Sequence, residues 1–167
     1  SVSAVSQEYY IIKCCERKIC FHPALFLSQK GMVINMKTDV ANRFIWYKGE
    51  ILNVNDAKIN ILAPTAQFGL NVFEGIPCYW NDEKKQLYAF RLDDHYDRLL
   101  RSARLIQIDY PYSKEDMKKA LVDVVKANEY DENLSVRQTL FVDGFGSWGA
   151  AEPTDMFVAP IPKGRTS

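Results

Sequence analysis

The chain carries no net charge, since 21 Lys and Arg balance 21 Asp and Glu. No uniform field draws it toward nucleic acid or an anionic membrane, so any anion must be held by local geometry. It has no apolar run long enough to cross a bilayer. Cysteine is scarce and poorly spaced for metal: Cys14, Cys15, Cys20 and Cys78 include an adjacent pair but no paired C-x-x-C. That argues against a structural zinc site and for reduced thiols in a cytoplasmic or organellar compartment. The early lysines and glutamate precede any apolar stretch, unlike a secretory signal. Internal repeats and low-complexity tracts are also lacking. What is present is a composition 47% hydrophobic and 13% aromatic over 167 residues, too apolar for disorder and sufficient for one core.

Residues 1–43 carry no signal that assigns them a role. From Phe44 the pattern sharpens. Phe44 to Tyr47 and Ile51 to Val54 flank Lys48-Gly49-Glu50, which reads as a tight β-hairpin. Ile76 to Trp80 and Leu87 to Phe90, separated by the polar stretch Asn81 to Gln86, read as a second hairpin. Leu92, Tyr96, Leu99, Ala103 and Ile106 recur at helical spacing, with Asp93 or Asp94 able to cap the first turn. Another helix starts at Ser113, with Asp116 three residues on as a capping box, and ends near Asn128. Its apolar stripe is Met117, Ala120, Leu121, Val124 and Val125. Strands at Val136 to Val142 and Met156 to Ile161 bracket the glycine-rich loop Asp143 to Gly149. The order predicts an α+β domain: a mostly antiparallel sheet with two helices on one face.

Three places carry candidate chemistry. Gly69 and Gly75 bracket Phe73 in the stretch Phe68 to Ile76, which suits either a close backbone approach to a ligand or an ordinary strand-entry turn with Phe73 buried. Arg98 lies at the edge of its helix's apolar stripe, so its guanidinium either turns toward a cleft to grip a phosphate or pairs with Asp94 in solvent. His95 reads as a capping or packing histidine. Arg137 is a cation inside an apolar strand and must face solvent or an anionic ligand, because unpaired burial is costly. The loop after it is followed by a strand and not a helix, which excludes a dinucleotide-binding fingerprint.

Taken in order, several of these pieces resemble the fold-type IV pyridoxal-phosphate enzymes and, within them, the branched-chain amino acid aminotransferases. They are Ile45-Trp46-Tyr47-Lys48-Gly49-Glu50, Asp56-Ala57-Lys58, Phe68-Gly69 with Val72-Phe73-Glu74-Gly75-Ile76, Phe90-Arg91-Leu92 with His95 and Arg98-Leu99, and Arg137 with Phe141-Val142. The resemblance runs from about Phe44 to Pro162 and implies the small N-terminal domain of such an enzyme. It implies a pyridoxal 5'-phosphate cofactor whose phosphate is bound by Arg98. It implies a substrate pocket lined by Phe68, Phe73 and Gly75, with Arg137 near the substrate carboxylate. The partners it implies are amino acid and 2-oxo acid substrates, including 2-oxoglutarate, and a second copy in a homodimer whose active site the Gly144 to Gly149 loop reaches.

Phe68 stands where the family commonly has tyrosine, Pro77 where bacterial branched-chain enzymes have arginine, and Ser135 where many relatives have an aromatic, so substrate preference stays open. The resemblance puts the lysine that anchors the cofactor in a second domain. Lys163, in the linker-like Pro162-Lys163-Gly164, does not match it. The expected organisation is an unassigned extension over 1–43, the domain over 44–162 and the start of a linker over 163–167, with no catalytic residue and no metal ligand in the chain and no activity in isolation. The parent is expected to be cytoplasmic, or organellar. Two other functions remain open: a lyase of the aminodeoxychorismate type, and a lysine-less interaction module.

Overall fold

The computed structural model describes residues 9–12, 42–146 and 152–164. In chain order these form β1 (Tyr9–Ile12), β2 (Phe44–Tyr47), β3 (Glu50–Asn53), α1 (Pro64–Phe68), β4 (Asn71–Asn81), β5 (Gln86–Phe90), α2 (Leu92–Leu105), α3 (Lys114–Asn128), β6 (Asn133–Val142) and β7 (Thr154–Gly164). The strands make one antiparallel sheet in the order β1-β5-β4-β6-β7-β2-β3. The α+β expectation holds.

Alternation along the central strands divides the sheet into two unlike faces. Ile76 and Cys78 of β4, Leu134, Val136 and Leu140 of β6, and Met156 and Val158 of β7 are buried against α2 and α3. Tyr96, Leu99 and Ala103 of α2 and Met117, Leu121 and Val124 of α3 meet them with no exposed surface. The opposite face carries Phe73, Gly75, Arg137 and Phe157. Replacing Leu99 with alanine opens a cavity in the middle of this core, and an unfolding free-energy loss of about 2–5 kcal/mol is expected in urea titrations.

The local signals explain most boundaries. Lys48 and Gly49 have φ of 52° and 96°, the pair of positive angles that a two-residue hairpin turn requires and that glycine adopts without strain. Ser113 accepts from the Asp116 amide and Asp116 reaches back to the Ser113 amide, completing the capping box. The start of α2 differs from expectation. Its N-cap is Arg91 in the left-handed region, with no side-chain cap. Asp94 instead accepts from Arg91 Nε at 2.5 Å, and Asp93 pairs with Lys118 at 2.9 Å. Both carboxylates sit in the first turn, where the helix dipole favours them.

Four further differences concern placement. A five-residue helix, α1, adds to the two expected. β4 begins at Asn71, so Asn71 to Gly75 is strand and not an entry turn. Part of the unassigned extension is structural: β1 pairs with β5, and Ile12 is fully buried. Lys163 and Gly164 lie within β7, Gly164 donating to Glu132 at 2.8 Å. Cys14, Cys15, Cys20 and the loop from Ser147 to Gly149, with Trp148, lie outside the described residues.

Candidate functional site: one strand serving two faces

The stretch Phe73-Glu74-Gly75 of β4 joins everything of chemical interest. β5 pairs with β4 only from Cys78 to Asn81, whereas β6 pairs from Asn71 to Cys78. Among the described residues, the Asn71 to Pro77 half of β4 therefore has a strand neighbour on one side alone. Phe73 and Gly75 project onto the open face, and Glu74 projects to the helix side.

On the open face Gly75 is directly opposite Arg137, and Phe73 is opposite Thr139. Arg137 lies diagonally over Phe73, its guanidinium carbon 4.9 Å from the ring centroid. The ring's negative face fixes the cation without neutralising it. Phe73 is 56% exposed, which rules out the buried-turn alternative for this residue. The row continues across the sheet from Thr139 to Phe157 and from Phe157 to Tyr47. Tyr47 stacks on Phe141 at 6.0 Å, and Phe157 tilts against Phe141 at 5.9 Å. The result is an aromatic floor beside the Arg137 cation. Thr139 is buried, and its Oγ1 has no hydrogen-bond partner among the described residues.

Gly75 is not explained by the protein's own packing. Its φ is not positive, and a Cβ built there would meet nothing nearer than Ser135 Oγ at 4.0 Å. A mid-strand glycine costs about 0.5–1 kcal/mol relative to alanine, so stability does not account for it. Gly75→Ala is expected to leave the melting temperature unchanged or raised, as thermal denaturation would show.

On the helix side, Glu74 is only 4% exposed. Arg98 of α2 grips it with both arms, Nε to Oε1 at 2.6 Å and Nη2 to Oε2 at 2.5 Å, and His95 Nδ1 lies 2.8 Å from Oε2. Burial pushes the Glu74 carboxyl up, but hydrogen bonds and charge from Arg98 and His95 outweigh it and hold the group below the usual carboxylate range. Hydrogen bonding to Glu74 likewise raises the Arg98 pKa. The solvated pairing with Asp94 is thus replaced by an inter-element ion pair. The Arg98 side chain nevertheless stays 57% exposed, leaving Nη1 and one outer edge of the fork available to a second anion. His95, expected to cap or pack, is a partner of Glu74.

The structure brings Phe73, Gly75 and Arg137 onto one face and links Arg98 to the same strand through Glu74. Phe68 ends the short helix α1 and is 57% exposed. Nearby, Lys48 of the β2–β3 turn pairs with Asp143 just after β6 and lies over the Tyr47 ring at 5.2 Å. Sequence reasoning missed Glu74. The available signal was a carboxylate in phase with Ile76 and Cys78, on the face that alternation marks as buried.

The family described as amino-transferase class IV matches residues 71–167.

The chain belongs to that family.

A probable branched-chain-amino-acid aminotransferase of Aquifex aeolicus is 35% identical over 94 residues, 56% of this chain and 30% of that protein. The crystal structure of a branched-chain aminotransferase from Thermoproteus uzoniensis with norvaline superposes with a TM-score of 0.68 at 39% identity, covering 73% of this chain and 41% of that one. The branched-chain amino acid aminotransferase from Thermobaculum terrenum, in its PLP-form, gives 0.64 at 27% identity, covering 74% and 41%. The chain therefore spans 30–41% of the length of these relatives. Within the class IV fold, the sheet with α2 and α3 is the small N-terminal domain.

Proposed function

We propose that the protein to which this chain belongs is a pyridoxal-phosphate-dependent aminotransferase that moves an amino group between a branched-chain or similar amino acid and 2-oxoglutarate. The observation that carries this reading is the pair of arginines on either side of β4, one stacked on Phe73 and one braced by Glu74. They suit two different anions, a substrate carboxylate and a cofactor phosphate. The names of the class IV relatives support the amino donor class, and the PLP-form of the Thermobaculum terrenum relative supports the cofactor.

The residues fit such a cofactor. Arg98 commits Nε and Nη2 to Glu74 and keeps the rest of a largely exposed guanidinium for a phosphate. Gly75 leaves open space where a Cβ would meet no protein atom closer than 4.0 Å. When bound, the cofactor supplies the electron sink that lets the α-carbon of the amino acid exchange its proton. This chain's residues bind and orient. Arg137 holds the substrate carboxylate from its seat on Phe73, and Phe73 with Phe68 offers apolar surface to a branched side chain. The aromatic floor of Tyr47, Phe141 and Phe157 excludes water from one side of the cleft. A homodimer completes the site, covering exposed apolar residues such as Leu62 just before α1 and Phe145 after β6, 53% and 78% exposed.

The test is an assay of the full-length protein with a branched-chain amino acid and 2-oxoglutarate, following glutamate. Glutamate formation dependent on pyridoxal phosphate is the expected result. Release of pyruvate from an aminodeoxychorismate substrate with no glutamate formed would replace the aminotransferase reading with the lyase one.

A further inference from the structure

We infer that Glu74 is a positioning residue for the cofactor: its buried carboxylate locks the Arg98 fork, so that the arginine's outer edge is already aimed when the phosphate arrives. The inference rests on the reading of Arg98 as the phosphate-binding residue. An arginine on an exposed helix face samples many rotamers, and fixing it on binding costs entropy. Here that freedom is already lost. Nε and Nη2 are both bonded to one carboxylate, and the carboxylate is held by burial and by His95 at 2.8 Å. Glu74 in turn is fixed by the sheet, paired across to Gln138, whose own amide is bonded to Tyr96 and the Met117 carbonyl. The chain of contacts runs from the core to the outer edge of Arg98.

Two effects of Glu74 oppose each other, and their balance gives the inference a sign. By charge alone a carboxylate beside a phosphate repels it, so Glu74→Gln would tighten cofactor binding. By positioning, the same substitution releases one arm of Arg98 and weakens it. The carboxylate's charge is met at contact distance by Arg98 itself, and the exposed outer edge of the fork faces water, which screens the residual repulsion. Positioning prevails.

The experiment uses the intact protein stripped of cofactor, titrated separately with pyridoxal 5'-phosphate and with pyridoxal, which lacks the phosphate, and read by absorbance. Glu74→Gln is expected to weaken pyridoxal phosphate binding about tenfold and to leave pyridoxal binding unchanged. In an Arg98→Ala background it is expected to add nothing further. Unchanged or tighter pyridoxal phosphate binding in Glu74→Gln, with Arg98→Ala still weakening it, overturns the role of Glu74 while sparing that of Arg98. Equal loss of both ligands assigns Glu74 to the fold instead and also overturns the inference. An Arg98→Ala variant that binds pyridoxal phosphate as the parent does would overturn the reading of Arg98 itself.

Discussion

Replacing Arg98 with alanine is expected to weaken pyridoxal phosphate binding about 10- to 100-fold, the range for losing charge-assisted hydrogen bonds to an anion. Helix content should persist, since Leu92, Tyr96, Leu99 and Ala103 keep α2 on the sheet. Stability will not be untouched, however. Arg98 supplies two of the hydrogen bonds to the buried Glu74 carboxyl, and without them only the His95 contact remains of the three. A buried acceptor that loses its partners costs about 1–3 kcal/mol, so the melting temperature of the cofactor-free variant should also fall. Arg98→Lys should bind the cofactor better than alanine but worse than the parent, because a single ammonium cannot serve Glu74 and a phosphate with the geometry of a fork. Titration of stripped protein, with far-ultraviolet circular dichroism alongside, measures both effects. A variant that keeps parental cofactor affinity would return Arg98 to a purely structural ion pair.

Arg137→Leu is expected to have the complementary signature. It lowers kcat/KM for the amino acid about 100-fold, from the loss of a carboxylate's charged partner, while cofactor affinity and melting temperature change little. The reason lies in the sheet. Arg137 is exposed on the open face over Phe73, whereas Glu74 and Arg98 meet on the helix side. Steady-state kinetics together with cofactor titration separates the two. Loss of cofactor affinity in Arg137→Leu equal to that in Arg98→Ala would mean that the two arginines serve a single anion.

These effects were only partly legible in the sequence, and the division follows the range of the interactions. The β2–β3 turn and the capping box of α3 depend on residues within a few positions of each other, so pattern sufficed. Alternation raised the possibility that Arg137 leaves the apolar face of its strand, but nothing in the strand named Phe73 as its seat, because that contact needs the β4–β6 register. Helical periodicity put Arg98 at the edge of its stripe and offered Asp94 as a local partner. In the fold Asp94 is taken by Arg91, and Arg98 turns instead to Glu74, 24 residues earlier in the chain. The Gly69 to Gly75 stretch looked turn-like because glycine weakens a strand's signature, although β4 begins at Asn71 and takes in all but its first two residues. β1 was illegible for another reason: a strand of four residues takes its meaning from the β5 edge it covers.

In the proposed arrangement β4 has a phosphate site on one side and a carboxylate site on the other. A crystal structure of the intact protein with pyridoxal phosphate and a branched-chain 2-oxo acid tests it most directly. The phosphate is expected within hydrogen-bonding distance of Arg98, with Glu74 still gripped by Nε and Nη2 and the 2-oxo acid carboxylate at Arg137 above Gly75. A phosphate bound elsewhere, with Arg98 committed to Glu74 alone and Arg137 facing bulk water, would contradict it.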